Sequence, residues 1–144
     1  MKKSDTALAT FNQGITCSSA VFSAFAEDLG LDDKMSKKIA CGFGAGISRT
    51  GNICGAVSGA IMVIGLKYGK AEQGDDAATV KTRALTREFI EEFIKKNGSV
   101  NCTELLGYNL NNQDEYDVAA KANLFRTKCP GYVRDAAGIL EGIL

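Results

Sequence analysis

Gly51 to Gly69 reads GNICGAVSGAIMVIGLKYG, and the fold turns on what this run becomes and where it lies. From Thr50 to Leu66 it carries no charge, while Arg49 and Lys67 bracket it. Gly55 and Gly59 stand four residues apart, as do Ala56 and Ala60, so a helix here presents two adjacent lines of small side chains. A glycine inside a helix costs roughly 1 kcal/mol against alanine. A pair at helical spacing therefore predicts the close approach of another backbone or of a cofactor. Ile61, Met62, Val63 and Ile64 follow on all sides, the pattern of a helix buried at the centre of a core, over Asn52–Leu66. A membrane span takes about 20 apolar residues, and this run is short and rich in glycine, so a core helix is expected.

Composition limits what can surround that helix. A chain of 144 residues suits one domain, residues 1–144, with a hydrophobic core of its own. Seventeen basic and 17 acidic residues leave no net charge, so no overall field draws the chain to nucleic acid or an anionic membrane, and neither partner is expected. There is no histidine, which removes the commonest general base and most catalytic zinc sites. Behind Lys2 and Lys3 no apolar run follows, so a cytoplasmic location is expected. In a reducing compartment the five cysteines argue against a disulfide framework. Catalysis, redox sensing, metal binding or plain packing as small hydrophobes remain.

Helical spacing recurs on both sides of the central run. Helices are predicted over Thr16–Leu29, from Asp32 or Asp33 through Met35, Ile39, Ala40 and Phe43 with the lysines on the outer face, and over Asp75–Lys96, where Leu85, Phe89, Ile90, Phe93 and Ile94 form the apolar stripe and Asn97-Gly98 is the stop. A short helix Cys102–Leu106 is capped by Asn101, with Glu104 completing a capping box. Further helices run over residues 115–125 and 132–143. No stretch alternates as a strand does, so the expected fold is an all-α, single-domain helical bundle around the Gly/Ala-rich helix. Gly42, Gly44 and Gly46 lack the lysine of a phosphate-binding loop and miss the GxGxxG spacing at Ile47. They are read as letting the chain pass close to the central helix, which makes Gly44, Gly46, Gly55 and Gly59 the expected points of close backbone approach.

The cysteines form no CxxC pair, but four of them fall at predicted helix starts. Cys17 follows Thr16, Cys54 sits in the first turn of the central helix, Cys102 follows Asn101, and Cys129 precedes Pro130, a residue favoured at the first helical position. A helix N-terminus carries about half a positive charge and unpaired N–H groups. The expectation is that these lower the thiol pKa, or stabilise sulfurs that ligate an anionic cluster. Cys41 lies inside the second predicted helix and is read as a packed, neutral thiol.

In that order the residues resemble the C_GCAxxG_C_C family of small redox-active proteins. Cys54-Gly55-Ala56-Val57-Ser58-Gly59 matches its CGAxxG motif, FNQGITCSSA (Phe11 to Ala20) its first-cysteine block, and GFGAGI (Gly42 to Ile47) its Gly-rich approach. Cys102 and Cys129-Pro130-Gly131 match the third and fourth cysteine positions, while Cys41 falls outside the pattern. The family is also similar to the amino-terminal part of split-Soret cytochrome c. That likeness implies a helical fold, a homodimer and a cysteine-bound iron–sulfur cluster, but no haem, since this chain has neither CxxCH nor histidine.

The resemblance implies one site made of Cys17, Cys54, Cys102 and Cys129, ligating a [2Fe–2S] or [4Fe–4S] centre for electron transfer or redox sensing. Zinc on the same ligands is the structural variant. Two other readings stay open at this point. In one, a dithiol/disulfide protein uses Cys54 as nucleophile and another of the four as resolving thiol. In the other, a non-redox helical module associates through its small-residue lines. Ile139-Leu140 with Ile143-Leu144 is expected to form an apolar patch at the dimer contact.

Overall fold

The computed structural model describes all 144 residues and is helical throughout, with one isolated antiparallel bridge between Ile53 and Asn101. The helices are α1 (Lys3–Asn12), α2 (Cys17–Ala26), α3 (Asp33–Ala40), α4 (Gly44–Ser48), α5 (Gly55–Tyr68), α6 (Asp76–Asn97), α7 (Cys102–Leu106), α8 (Gln113–Lys121), α9 (Leu124–Thr127) and α10 (Cys129–Ile143). Short 3-10 turns extend α2 over Glu27–Leu29 and α3 over Cys41–Phe43. α1 was not foreseen, and the predicted helix Thr16–Leu29 divides into α2 and its 3-10 turn. No helix is long and apolar enough to cross a membrane.

Starts and stops follow local chemistry. Asp32, Asp75, Asn101 and Asn112 each accept a hydrogen bond from the backbone N–H three residues on, at 3.0, 3.3, 3.1 and 3.1 Å. Gly98 closes α6 and Gly107 closes α7 in the left-handed conformation, which costs glycine little.

The core is built on α5, which packs chiefly against α2 and then against α6 and α10. Val57, Val63 and Ile64 are fully buried; each such side chain contributes about 1.5–3 kcal/mol by leaving water. Phe89 and Phe93 of α6 stack with ring centroids 6.0 Å apart and are wholly buried, as the apolar stripe of that helix predicts. The small residues of α5 explain the closeness of α2. A Cβ on Gly59 would overlap the carbonyl oxygen of Ser18 and stand 3.2 Å from its carbon.

Two packing expectations are overturned. On α3 the predicted core residues Met35 and Ile39 are exposed, as is Phe43 beyond it, while Ser36 and Ala40 are buried. The reason lies in α2, where buried Ser18 and Ser19 donate to the carbonyl oxygens of Ala40 and Lys37, both at 2.7 Å. That contact admits only small side chains. At the carboxy terminus Ile139 and Leu140 are buried, and Ile143 and Leu144 pack against the same core. The apolar patch expected at a dimer contact is thus spent inside the monomer.

Candidate functional site

Cys17, Cys54, Cys102 and Cys129 all line one cavity of about 340 Å³, near the lower end of small-ligand pockets, about 300–1,000 Å³. Cys41 lines it as well, and no cysteine is in a disulfide. The remaining walls are mostly apolar, from Leu105, Leu106 and Leu110 on one side to Phe11 and Phe125.

Each of the four thiols is delivered by a helix start. Cys17 is the first residue of α2, Cys102 of α7 and Cys129 of α10, with Pro130 immediately after it; Cys54 is the N-cap of α5. The α10 helix begins at Cys129 itself, one residue earlier than Pro130 in first position requires. Cys54 and Cys102 are fixed to each other by the strand-like bridge between them. The Cys54 N–H donates to Val100 O at 2.8 Å and the Cys102 N–H to Asn52 O at 2.7 Å. Two thiols 48 positions apart are thereby held by paired backbone bonds rather than by side-chain packing alone.

The wall between Cys17 and Cys102 is unusual backbone. Ala45, Gly46, Ile47, Ser48 and Arg49 have φ from 51° to 68°, so α4 is a left-handed turn, closed by Arg49 N–H donating to Ala45 O at 2.9 Å. The left-handed helix costs roughly 1–2 kcal/mol per non-glycine residue. The turn is held from outside. Asn52 N–H donates to Gly46 O at 2.9 Å, Ser48 Oγ to Gly42 O at 2.8 Å, and the Arg49 guanidinium lies 3.5 Å over the Tyr116 ring. Nothing in the hydropathy pattern signals this turn.

Glycines make the convergence sterically feasible. A Cβ on Gly55 would overlap Cys17 Sγ and stand 3.0 Å from Gly44 Cα. On Gly44 it would stand 2.9 Å from Thr16 Cβ, and on Gly46 it would stand 2.7 Å from Cys102 Cβ at a φ of 67°. Together with Gly59 against Ser18, these glycines sit where any Cβ would collide with a neighbouring segment.

The electrostatics correct one expectation. Backbone N–H groups do face the sulfurs, those of Ala45, Ser18 and Gly55 toward Cys17 and those of Ala56 and Val57 toward Cys54, and they pull the pKa down. Burial outweighs them. It raises all four thiols, to about 11 at Cys102 and about 12 at Cys129, and strongly at Cys54, and the neighbouring Cys17 raises those three further. A helix end offers about half a charge at partial exposure, whereas a buried thiolate loses most of its hydration. Without a bound cation these are neutral thiols, not activated nucleophiles.

Cys41 also departs from expectation: it is exposed, at the start of the 3-10 turn after α3, not packed in the core. Tyr132 was missed. Its hydroxyl donates to Leu105 O at 3.0 Å, it lines the cavity, and burial followed by Cys129, Cys54 and Cys102 raises its pKa. Its spacing of three from Cys129, on one helix face, was the available signal.

The donor set fits a cysteine-ligated group that occupies space between its ligands: four thiols, inward amides and glycines where a Cβ would intrude. A single ion fits less well, because no three Cys, Asp or Glu side chains gather about one point; four-thiolate zinc needs sulfurs about 2.3 Å from a common centre.

The family model described as "Putative redox-active protein (C_GCAxxG_C_C)" matches residues 15–143. A protein of Archaeoglobus fulgidus, described only as "Uncharacterized protein", is 32% identical over 102 residues, covering 65% of this chain and 67% of its own. No solved structure matches.

Proposed function

Since the chain belongs to the C_GCAxxG_C_C redox-active family, we propose that Cys17, Cys54, Cys102 and Cys129 hold one iron–sulfur cluster and that the protein transfers electrons or senses redox state through it. The observation that carries this reading is the meeting of four thiols, each from a different helix start, around one largely apolar cavity. The cluster would supply reversible one-electron chemistry, at a potential set by charge, N–H contacts to sulfur and solvent access. The chain's own part is to hold the four sulfurs, to aim the Ala45, Gly55, Ala56 and Val57 amides at two of them, and to keep water out with Leu105, Leu106 and Phe125. A nearby cation also reverses the thiol electrostatics, because a coordinating thiol is deprotonated outright. Zinc on the same ligands is the weaker variant, given the geometry above.

The dithiol reading with Cys54 as nucleophile is disfavoured by the burial that keeps Cys54 neutral. A cytoplasmic, reducing setting accords with five free thiols. A homodimer rests on the family likeness alone, now that Ile139 and Leu140 are accounted for within the monomer.

Anaerobic purification, or reconstitution with iron and sulfide, tests the reading. Visible absorption with matching iron and sulfide contents is expected, lost in Cys17→Ser, Cys54→Ser, Cys102→Ser and Cys129→Ser. A colourless protein that takes up neither and cycles instead between dithiol and disulfide would establish the other chemistry.

A further inference from the structure

The cavity has an open edge. Of the residues lining it, Cys41 and Ser48 are the most exposed, while Cys17, Cys129, Phe11 and Phe125 are half-buried. The Ser48 hydroxyl is committed to the Gly42 carbonyl at 2.8 Å, which leaves Cys41 as the free ligating group at the mouth. Of the four other thiols in the lining, Cys54 and Cys102 are buried, only 7% exposed, and Cys17 and Cys129 are half-buried. A ferrous ion coming from solution must exchange its ligands one at a time on the way in, and a soft sulfur donor at the entrance supplies the first exchange.

Building on the four-thiol reading, we propose that Cys41 is the entry ligand of this site: it takes ferrous ion from solution, passes it to the interior cysteines, and is itself unbound in the finished centre. The steps are ligand exchanges without oxidation. The bond from iron to Cys41 forms as the bond to its carrier, water or a small thiolate, breaks, and the Cys41 proton leaves with the carrier or to solvent. The iron bond to Cys41 then breaks as one to an interior sulfur forms, and the proton of that interior thiol returns to Cys41.

The test is anaerobic reconstitution of the full reduced chain with ferrous ion and sulfide, followed as iron retained after rapid desalting and as visible absorption once a one-electron oxidant, ferricenium, has taken up the electrons that an absorbing cluster must lose. Cys41→Ser should reach the same final spectrum and iron content as wild type, roughly tenfold more slowly, while Ser48→Ala keeps the wild-type rate. In the loaded wild type, brief iodoacetamide treatment should label Cys41 alone, as read by peptide mass mapping. Equal loading rates for wild type and Cys41→Ser would overturn the entry role and leave the four-cysteine site standing. So would an altered final spectrum, or protection of Cys41 in the loaded protein, either of which makes it a permanent ligand. No absorption in wild type would overturn the four-thiol reading and this inference with it.

Discussion

The nearness of α2 and α5 can be tested with two substitutions on one helix. Gly59 and Gly65 both lie within α5, and Ala in place of either gains roughly 1 kcal/mol of helix propensity. At Gly65 nothing lies within 4 Å of the new Cβ, so that gain stands alone and Gly65→Ala should stabilise by about 0.5–1 kcal/mol. At Gly59 the new methyl overlaps the Ser18 carbonyl. Backbone cannot rotate aside as a side chain can, so α2 must shift, with the loss of fit that overpacking brings, about 1–3 kcal/mol. The upper end applies, and after the propensity gain Gly59→Ala should destabilise by about 2 kcal/mol. Urea titration followed by far-ultraviolet circular dichroism, on wild type and both variants in the same loading state, gives the two differences directly. A Gly59→Ala protein as stable as Gly65→Ala would refute the close approach, and with it the reason for glycine in the motif at that position.

Raised thiols give the metal-free protein a pH dependence of known sign. Folded Cys102 and Cys129 hold their protons to about 11 and about 12, against an ordinary value of 9.0, so the folded state binds more protons than the unfolded above pH 9. Their contribution is complete below pH 9 and falls as pH rises toward those values; the urea midpoint should drop between pH 9 and 11.5, less steeply in Cys129→Ala. Gly46→Ala puts a Cβ 2.7 Å from Cys102 Cβ at positive φ, and should cost about 2–3 kcal/mol and abolish reconstitution, as judged by iron content. Tyr132→Phe removes the 3.0 Å bond to Leu105 O and should cost about 0.5–1.5 kcal/mol in the same denaturation assay, with the iron content preserved.

What the sequence made legible was what rests on local chemistry. Asp32, Asp75 and Asn101 announce their helices because a cap is a contact three residues long, and Gly98 announces a stop. The four cysteines could be placed at helix starts for the same reason. Tertiary context decided the rest. Counting apolar residues put Met35 and Ile39 inside, but the α2–α3 contact is made by serine hydroxyls on carbonyls, so small residues face inward there. The helix-start argument gave the right location for the thiols and the wrong sign for their pKa, because desolvation depends on neighbours that spacing does not reveal. The left-handed turn at Ala45–Arg49 breaks the backbone preference of four of its five residues, and the surrounding hydrogen bonds and the Arg49–Tyr116 contact account for it.

The four thiols are far apart along the chain, separated by 37, 48 and 27 positions. Any group bonded to all of them ties three loops shut in the unfolded chain. By the chain-entropy argument used for disulfides, loops of those lengths are worth roughly 3.5–4 kcal/mol each, so together on the order of 10 kcal/mol. That is comparable to the whole stability of an ordinary domain, about 5–15 kcal/mol. Occupancy of the site would then govern more than redox chemistry: the loaded chain should outlast the empty one against heat and proteolysis, and its abundance in a cell would follow the supply of what it carries.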